Sequence, residues 1–324
     1  MREATVLIPD DLNRSALALR PAGRAEFALS GQTMGTSWSV CGFAPEEISE
    51  GDILRRIEDV FAAIIASMSG WDSGSTLSRF NRLPAGGRIA IDPMFSDVMQ
   101  MALNVARRSG GVFDPCLGGD VIRSGFGPAA CASFEPGTAS GPSIWPQLLP
   151  MRGELVQPGG VTLDVSAIAK GYAVDAMAAA VAGFGITSLI AEIGGEFVGS
   201  GVKPDGLPWW VDIENPYPEG GPFRLALSDR ALATSGDYRQ QRQLAGAKVS
   251  HIVLPPGRVC FGGDPASVSV VHPSCALADA WATALFAAGD VVGLRMADDE
   301  KLAALFQYRD APARLSAKMR AYLG

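Results

Sequence analysis

Apolar residues recur at helical spacing in two early windows. Between Ile53 and Met68, the positions Ile53, Leu54, Ile57, Val60, Phe61, Ile64 and Ile65 share one face, which predicts an amphipathic helix burying that stripe. Pro93 to Arg108 repeats the pattern and runs into Ser109-Gly110-Gly111, where glycine supplies a C-terminal cap. Further along, VTLDVSAIAKGYAVDAMAAAVAGFG reads as strand, turn, helix, with Thr162 to Val165 extended and the alanine-rich Ala169 to Val181 helical. SLIAEIGGEFVGSGV reads as two strands around a glycine turn, and WWVDIENP as a strand ended by Pro216. FRLALS, ALATSG and ASVSVVHP are further short strands, Cys275 to Ala288 is a helix, and a last helix ends near Leu323. Cys131 to Pro158, rich in Pro, Gly and Ser, reads as an irregular excursion.

These elements mix without a regular βαβ rhythm and without an internal repeat. The expected class is therefore α+β, mixed β-sheets flanked by helices. The expected layout is an N-terminal extension, residues 1–28, followed by a single domain over residues 29–324.

Composition narrows the function. A chain of 324 residues that is 48% hydrophobic can bury a large core. Its net charge of −7 and lack of any Lys or Arg run argue against nucleic acid as a partner. Five scattered cysteines with no C-x-x-C pair read as reduced, mostly buried thiols, and no metal is assigned to them. The first 28 residues carry charges and a proline where a secretory signal needs an apolar run of roughly 7–15 residues. The expectation is a cytoplasmic protein without a signal peptide. The most apolar stretch, Ala176 to Ile193, is interrupted by glycines and flanked by Asp175 and Glu192, so no membrane segment is expected.

Candidate chemistry is scattered along the chain. MSGWDSGSTLSRFNR places Trp71 and Asp72 in a run of small hydroxyl residues; a surface loop accounts for the hydroxyls but less well for the indole. SGGVFDP, SAIAKG and IGGEFVGSG compete as glycine turns able to approach a phosphate, and only SAIAKG opens onto a helix. It matches neither the P-loop nor the dinucleotide fingerprint. In CALADAWATALF, Asp279 and Thr283 stand four apart on one helix face. Spacing alone reads them first as a helix carboxylate and a threonine bonded back to its own turn, and otherwise as half of a site for a hard cation. His251 is one of two histidines and is read as either a structural residue or a base. No G-x-S-x-G is present to support a serine hydrolase.

Taken in order, GQTMGTSWSV, MSGWDSGSTLSRFNR, GGVFDPCLGGDVIRSGFGP, LDVSAIAKGYAVD, IAEIGGEFVGSG, ATSGDY, SHIV and SVVHPSCALADAWATALF resemble the ApbE family, the FAD:protein FMN transferases. The resemblance runs from about Gly31 to Gly289 and implies an ApbE-like fold. It also implies a Mg²⁺-dependent enzyme that cleaves the pyrophosphate of FAD, attaches FMN through a phosphoester to a Thr or Ser of an acceptor flavoprotein, and releases AMP. Some relatives mainly hydrolyse FAD, so FAD pyrophosphatase activity and non-catalytic FAD binding stand as alternatives.

Carried over motif by motif, the resemblance puts Met34, Trp71, Asp72, Val112, Phe113, Asp114, Ser166, Lys170, Asp175 and Ile252 at the FAD. Trp71 stands where relatives usually have Tyr, so the indole offers a stacking face without the hydroxyl. The metal would take a backbone oxygen, here Ala169, with Asp279 and Thr283. His251 is the first candidate for general base, Asp237 the second, and Lys170 a further positive charge at the reacting phosphate. The chain departs from the family after SHI, where VLPPGRVCFGGDP replaces an Asp-Pro-x-Thr-Gly segment, a change that bears on acceptor docking.

Overall fold

The computed structural model describes residues 4–10, 24–128, 144–148, 150, 153–215, 217, 221–238, 241–244, 247–250, 252 and 264–323. His251, the candidate base, lies outside them, as do Cys131 and Cys260.

The strands, in chain order, are β1 (Thr5–Leu7), β2 (Arg24–Thr33), β3 (Thr36–Pro45), β4 (Arg88–Ala90), β5 (Glu154–Val156), β6 (Leu189–Ile193), β7 (Glu196–Ser200) and β8 (Trp209–Ile213). They continue as β9 (Phe223–Leu227), β10 (Arg230–Gly236), β11 (Gln241–Leu244), β12 (Ala247–Ser250), β13 (Ser267–His272), β14 (Ala303–Gln307) and β15 (Arg314–Leu315). The helices are α1 (Glu50–Met68), α2 (Thr76–Asn81), α3 (Pro93–Arg108), α4 (Gly118–Arg123), α5 (Ser166–Ala182), α6 (Cys275–Ala288), α7 (Asp290–Asp299) and α8 (Ala317–Arg320). The fold is α+β, as the mixed pattern of elements predicts.

An eight-stranded antiparallel sheet in the order β15-β14-β13-β10-β7-β6-β3-β2 organises the chain. Alternation along its strands sends residues to two different cores. Ala231 and Ala233 of β10, with Ala304 and Phe306 of β14, join α1, α3, α5 and α6 in the larger core. Leu232 and Leu305 face the other way, into a smaller core built with β8, β9 and Tyr322. The small sheet β1-β9-β8 covers that second face.

Local signals explain the helix limits. Ser49 caps α1 and Asp92 caps α3, each accepting a backbone N–H with its side chain. Two hairpins turn on residues in the left-handed region. Met34 (φ 49°) and Gly35 (φ 75°) connect the paired Thr33 and Thr36, and Gly194 (φ 63°) and Gly195 (φ 105°) connect the paired Ile193 and Glu196. Because Trp38 of β3 pairs with Ile193 of β6, both turns lie at the same end of the sheet.

Three expectations change. Thr162 to Val165 is not a strand, and its pairing is confined to a single bridge between Thr162 and Leu117. SAIAKG is not a turn before a helix: α5 starts at Ser166, so the segment is itself the helix's first turns. The stretch read as irregular contains β5, paired with β4. Among the described residues, no helix is long and apolar enough to cross a membrane.

Candidate active site

The site grows from the crossing of α5 and α6. A Cβ on Gly171 would fall 2.3 Å from the Cys275 carbonyl oxygen, so the two backbones meet at a distance only glycine permits. At that crossing the Gly171 N–H donates to Asp279 Oδ2 at 3.0 Å. One helical turn past Gly171, Asp175 accepts from Ser274 Oγ (2.9 Å) and from the N–H groups of Cys275 (2.9 Å) and Ala276 (3.0 Å). Its carboxylate therefore caps α6. The resemblance puts Asp175 at the FAD; in the structure its carboxylate also holds the start of the helix that carries Asp279.

Lys170 lies beside this crossing. Its Nζ donates to Glu196 Oε1 at 2.6 Å, with 36% of the lysine side chain still exposed. Glu196 is only 2% exposed, and its second oxygen, Oε2, has no hydrogen-bond partner. Burial, opposed by the Lys170 ammonium and reinforced by Asp279, pushes the Glu196 carboxyl up to about 7. Burial also raises Asp279, against the stabilising effects of Lys170 and the Gly171 N–H. Burial works against the Lys170 charge, but Asp279 and Glu196 outweigh it and the ammonium is held more firmly than usual. Two buried carboxylates thus share one ammonium.

Glu196 is the residue that sequence reasoning missed. It opens β7 directly after the glycine turn, and a Cβ on Gly194 would lie 3.5 Å from its Oε2 and 3.1 Å from Thr36 Oγ1. The Met34 hairpin and the Glu196 hairpin therefore adjoin, with Met34 half-buried against the main core. Ser235, near the end of β10 at this end of the sheet, lies 2.9 Å oxygen to oxygen from Thr283. Asp279 and Thr283, paired by helical spacing, do share the inner side of α6.

Three loops close around the start of α5. Asn81 clamps the Leu163 peptide, donating to its carbonyl at 2.9 Å and accepting its N–H at 2.8 Å. The Asp164 N–H donates to the Pro115 carbonyl at 2.9 Å, and Asp164 Oδ1 accepts the Ser166 N–H at 2.8 Å. The segments around Trp71, Phe113 and Lys170 are thereby stitched together. Trp71 is 71% exposed, an indole face free to stack. Asp72 accepts from the Gly74 N–H, a turn-forming bond. Ser166 is exposed.

Other candidates sit differently. Phe113 is buried in the main core, its N–H on Ser109 Oγ, while Val112 and Asp114 remain partly accessible beside it. Asp114 folds its own loop by accepting the Cys116 N–H. Ala169 lies within α5 rather than in a turn. Asp237 is ion-paired to Arg309, and Ile252 packs against the main core.

Among the described residues, no group of three or more His, Cys, Asp or Glu side chains is arranged to hold a metal. The donors at hand are instead the Asp279 carboxylate and the Thr283 and Ser235 hydroxyls, all hard oxygens. Such a set suits Mg²⁺, which takes few protein ligands and keeps places for water and phosphate. The unpartnered Glu196 Oε2 and the excess of buried carboxylate over ammonium are consistent with a further positive charge here.

Fold and site define an α+β protein with a buried carboxylate–ammonium cluster at a helix crossing. The ApbE family model matches residues 34–306, and the chain belongs to the ApbE family. It is 30% identical over 286 residues to the FAD:protein FMN transferase of Vibrio cholerae, covering 86% of each chain. It is 28% identical over 305 residues to the protein of that name from Haemophilus influenzae, covering 85% of this chain and 84% of the other. The crystal structure of Pseudomonas stutzeri flavinyl transferase ApbE, apo form, superposes with a TM-score of 0.85 at 27% identity, covering 93% of this chain and 98% of that one.

Proposed function

We propose that this chain is a Mg²⁺-dependent FAD:protein FMN transferase, which moves FMN from FAD to a Thr or Ser of an acceptor flavoprotein and releases AMP. The observation that carries the reading is the Lys170, Glu196 and Asp279 cluster at the α5–α6 crossing, in a chain whose relatives are named for this activity.

The acceptor hydroxyl oxygen forms a bond to the FMN phosphorus as the bridging pyrophosphate bond breaks. The electron pair of that bond leaves with AMP, and the hydroxyl proton passes to a base. Asp279 and Thr283, with a backbone oxygen from the first turns of α5 such as that of Ala169, would hold Mg²⁺. When bound, the ion neutralises pyrophosphate oxygens and stabilises the charge developing on the leaving AMP.

The remaining roles belong to side chains of this protein. Lys170 presents a firmly protonated ammonium to the phosphates, held in place by Glu196. Asp175 fixes the start of α6 and so the direction of Asp279. Trp71 supplies an exposed stacking face, and Met34, Asp72, Val112, Phe113, Asp114, Ser166 and Ile252 complete the FAD-binding set that the family motifs suggest. His251 is assigned as general base on its SHI motif, ahead of Asp237, whose carboxylate is engaged by Arg309.

The test is FAD incubated with purified protein and a Thr-bearing acceptor domain, with Mg²⁺ or excess EDTA. AMP is quantified and the acceptor weighed by intact mass. Metal-dependent AMP with one FMN mass added supports transfer. The VLPPGRVCFGGDP segment after His251 favours FAD hydrolysis as the second reading, and AMP release with an unlabelled acceptor would select it.

A further inference from the structure

A cavity of about 240 Å³ lies at the other end of the sheet from the glycine hairpins. Its strands meet where Ala231 pairs with His272, whereas Ser235 and Gly236, near Thr283, occupy the opposite end. Distant parts of the chain converge on it. Arg108 comes from the end of α3, Arg230 from the start of β10, Lys301 from the turn after α7, and Lys318 from α8. Four of the eleven lining residues are Lys or Arg, against 27 in 324 for the whole chain. Glu300 is the one acid in the lining.

Arg230 Nη1 donates to the Asp229 carbonyl at 2.7 Å. Arg108 pairs with Glu300 and lies 5.4 Å from the ring centroid of the buried Trp281, which walls the cavity. No carboxylate among the described residues pairs with Lys301 or Lys318. Lys301 also holds φ at 54°, in the left-handed region.

His272 adds a neutral donor. Its Nδ1 accepts the Ser274 N–H at 3.0 Å, which leaves Nε2 to carry the proton. Burial lowers its tendency to protonate, and Lys318, Arg108 and Arg230 lower it further. Those three cations and the imidazole line the same cavity. In a chain of net charge −7, that concentration is local and built from separate elements.

The geometry points to a second anion site, in which Arg108, Arg230, Lys301 and Lys318, with the His272 N–H, bind a phosphate group apart from the FAD site. Guanidinium forks match phosphate oxygens, and lysines add charge without fixed direction. The volume accommodates inorganic phosphate or the phosphate end of a monoester. Neighbouring Ser274 bonds both His272 and Asp175, so the occupant would sit one residue from the cap of α6.

The experiment is calorimetric titration of the full chain with inorganic phosphate at fixed ionic strength, in EDTA. The expected result is saturable one-site binding. It should weaken at least about fivefold in Arg230→Gln and in Lys318→Gln, the scale of losing one charge-assisted bond, and tighten in Glu300→Gln. Lys318 is exposed, so its variant keeps the test valid should Arg230→Gln fail to fold. Competition by AMP would assign the site to phosphate esters, and its absence to free phosphate; both preserve the site. Unsaturable heats would overturn the inference. Binding lost in Asp279→Asn yet unchanged in Lys318→Gln would overturn it too, because it would place the anion at the α5–α6 crossing.

Discussion

The Gly171 N–H donates to Asp279 Oδ2 at 3.0 Å, so the contact that brings α5 against α6 also aims the buried carboxylate. Gly171→Ala would set a methyl 2.3 Å from a carbonyl oxygen that no rotamer change can move. The expected cost is about 1–3 kcal/mol from overpacking, exceeding the gain of about 1 kcal/mol from helix propensity. A lowered urea midpoint with a larger loss of turnover is the expected outcome. An unchanged midpoint would show that the helices can separate freely.

Glu196 makes stability depend on pH. Its carboxyl is raised from 4.5 to about 7 in the folded chain, so the folded state holds a proton that the unfolded state releases earlier. That contribution is complete below the unfolded value and is lost as pH rises through the folded one. Urea denaturation in EDTA should therefore show stability declining from pH 5 to 7.5 through this group. Glu196→Gln should flatten the decline, and an unchanged slope would assign it elsewhere.

Trp71 separates binding from folding. With 71% of its surface exposed, Trp71→Ala should alter stability by less than about 0.5 kcal/mol. If the indole stacks on a ring of FAD, the loss is about 1–3 kcal/mol of affinity, or roughly fivefold to 150-fold in Kd by fluorescence titration. Equal FAD affinity in the variant would remove Trp71 from the site.

Asn81, the last residue of α2, joins that helix to the entrance of α5 through both of its amide atoms. Asn81→Ala leaves the Leu163 N–H and carbonyl without these partners and should cost about 1–3 kcal/mol. Hydrogen exchange should quicken at Leu163 to Ser166 before it does in β10 or β13. Uniform exchange across these segments would contradict a local clamp.

Helical periodicity made much of this legible. The apolar stripes mark α1 and α3, and Cys275 to Ala288 is α6 as read, so the shared face of Asp279 and Thr283 follows from spacing alone. Extended segments were harder. Thr162 to Val165 has β-prone residues, but Asn81, Pro115 and Gly118 take its backbone groups, and no sheet forms. Glu196 gives no local signal, because its burial and its link to Lys170 arise from strand pairing and helix packing far apart in the chain. Family motifs brought Lys170 and Asp175 to one region without revealing that the Asp175 carboxylate serves the start of α6.

The most direct test compares single-turnover AMP release from FAD by the wild-type chain and by Asp279→Asn, at saturating Mg²⁺ with acceptor present. The account predicts metal-dependent release and one added FMN mass for the wild type. For Asp279→Asn it predicts release slowed by at least about a hundredfold, the scale of losing one preorganised electrostatic group, with FAD still bound. Release within about twofold of wild type would contradict the placement of the chemistry at the α5–α6 crossing.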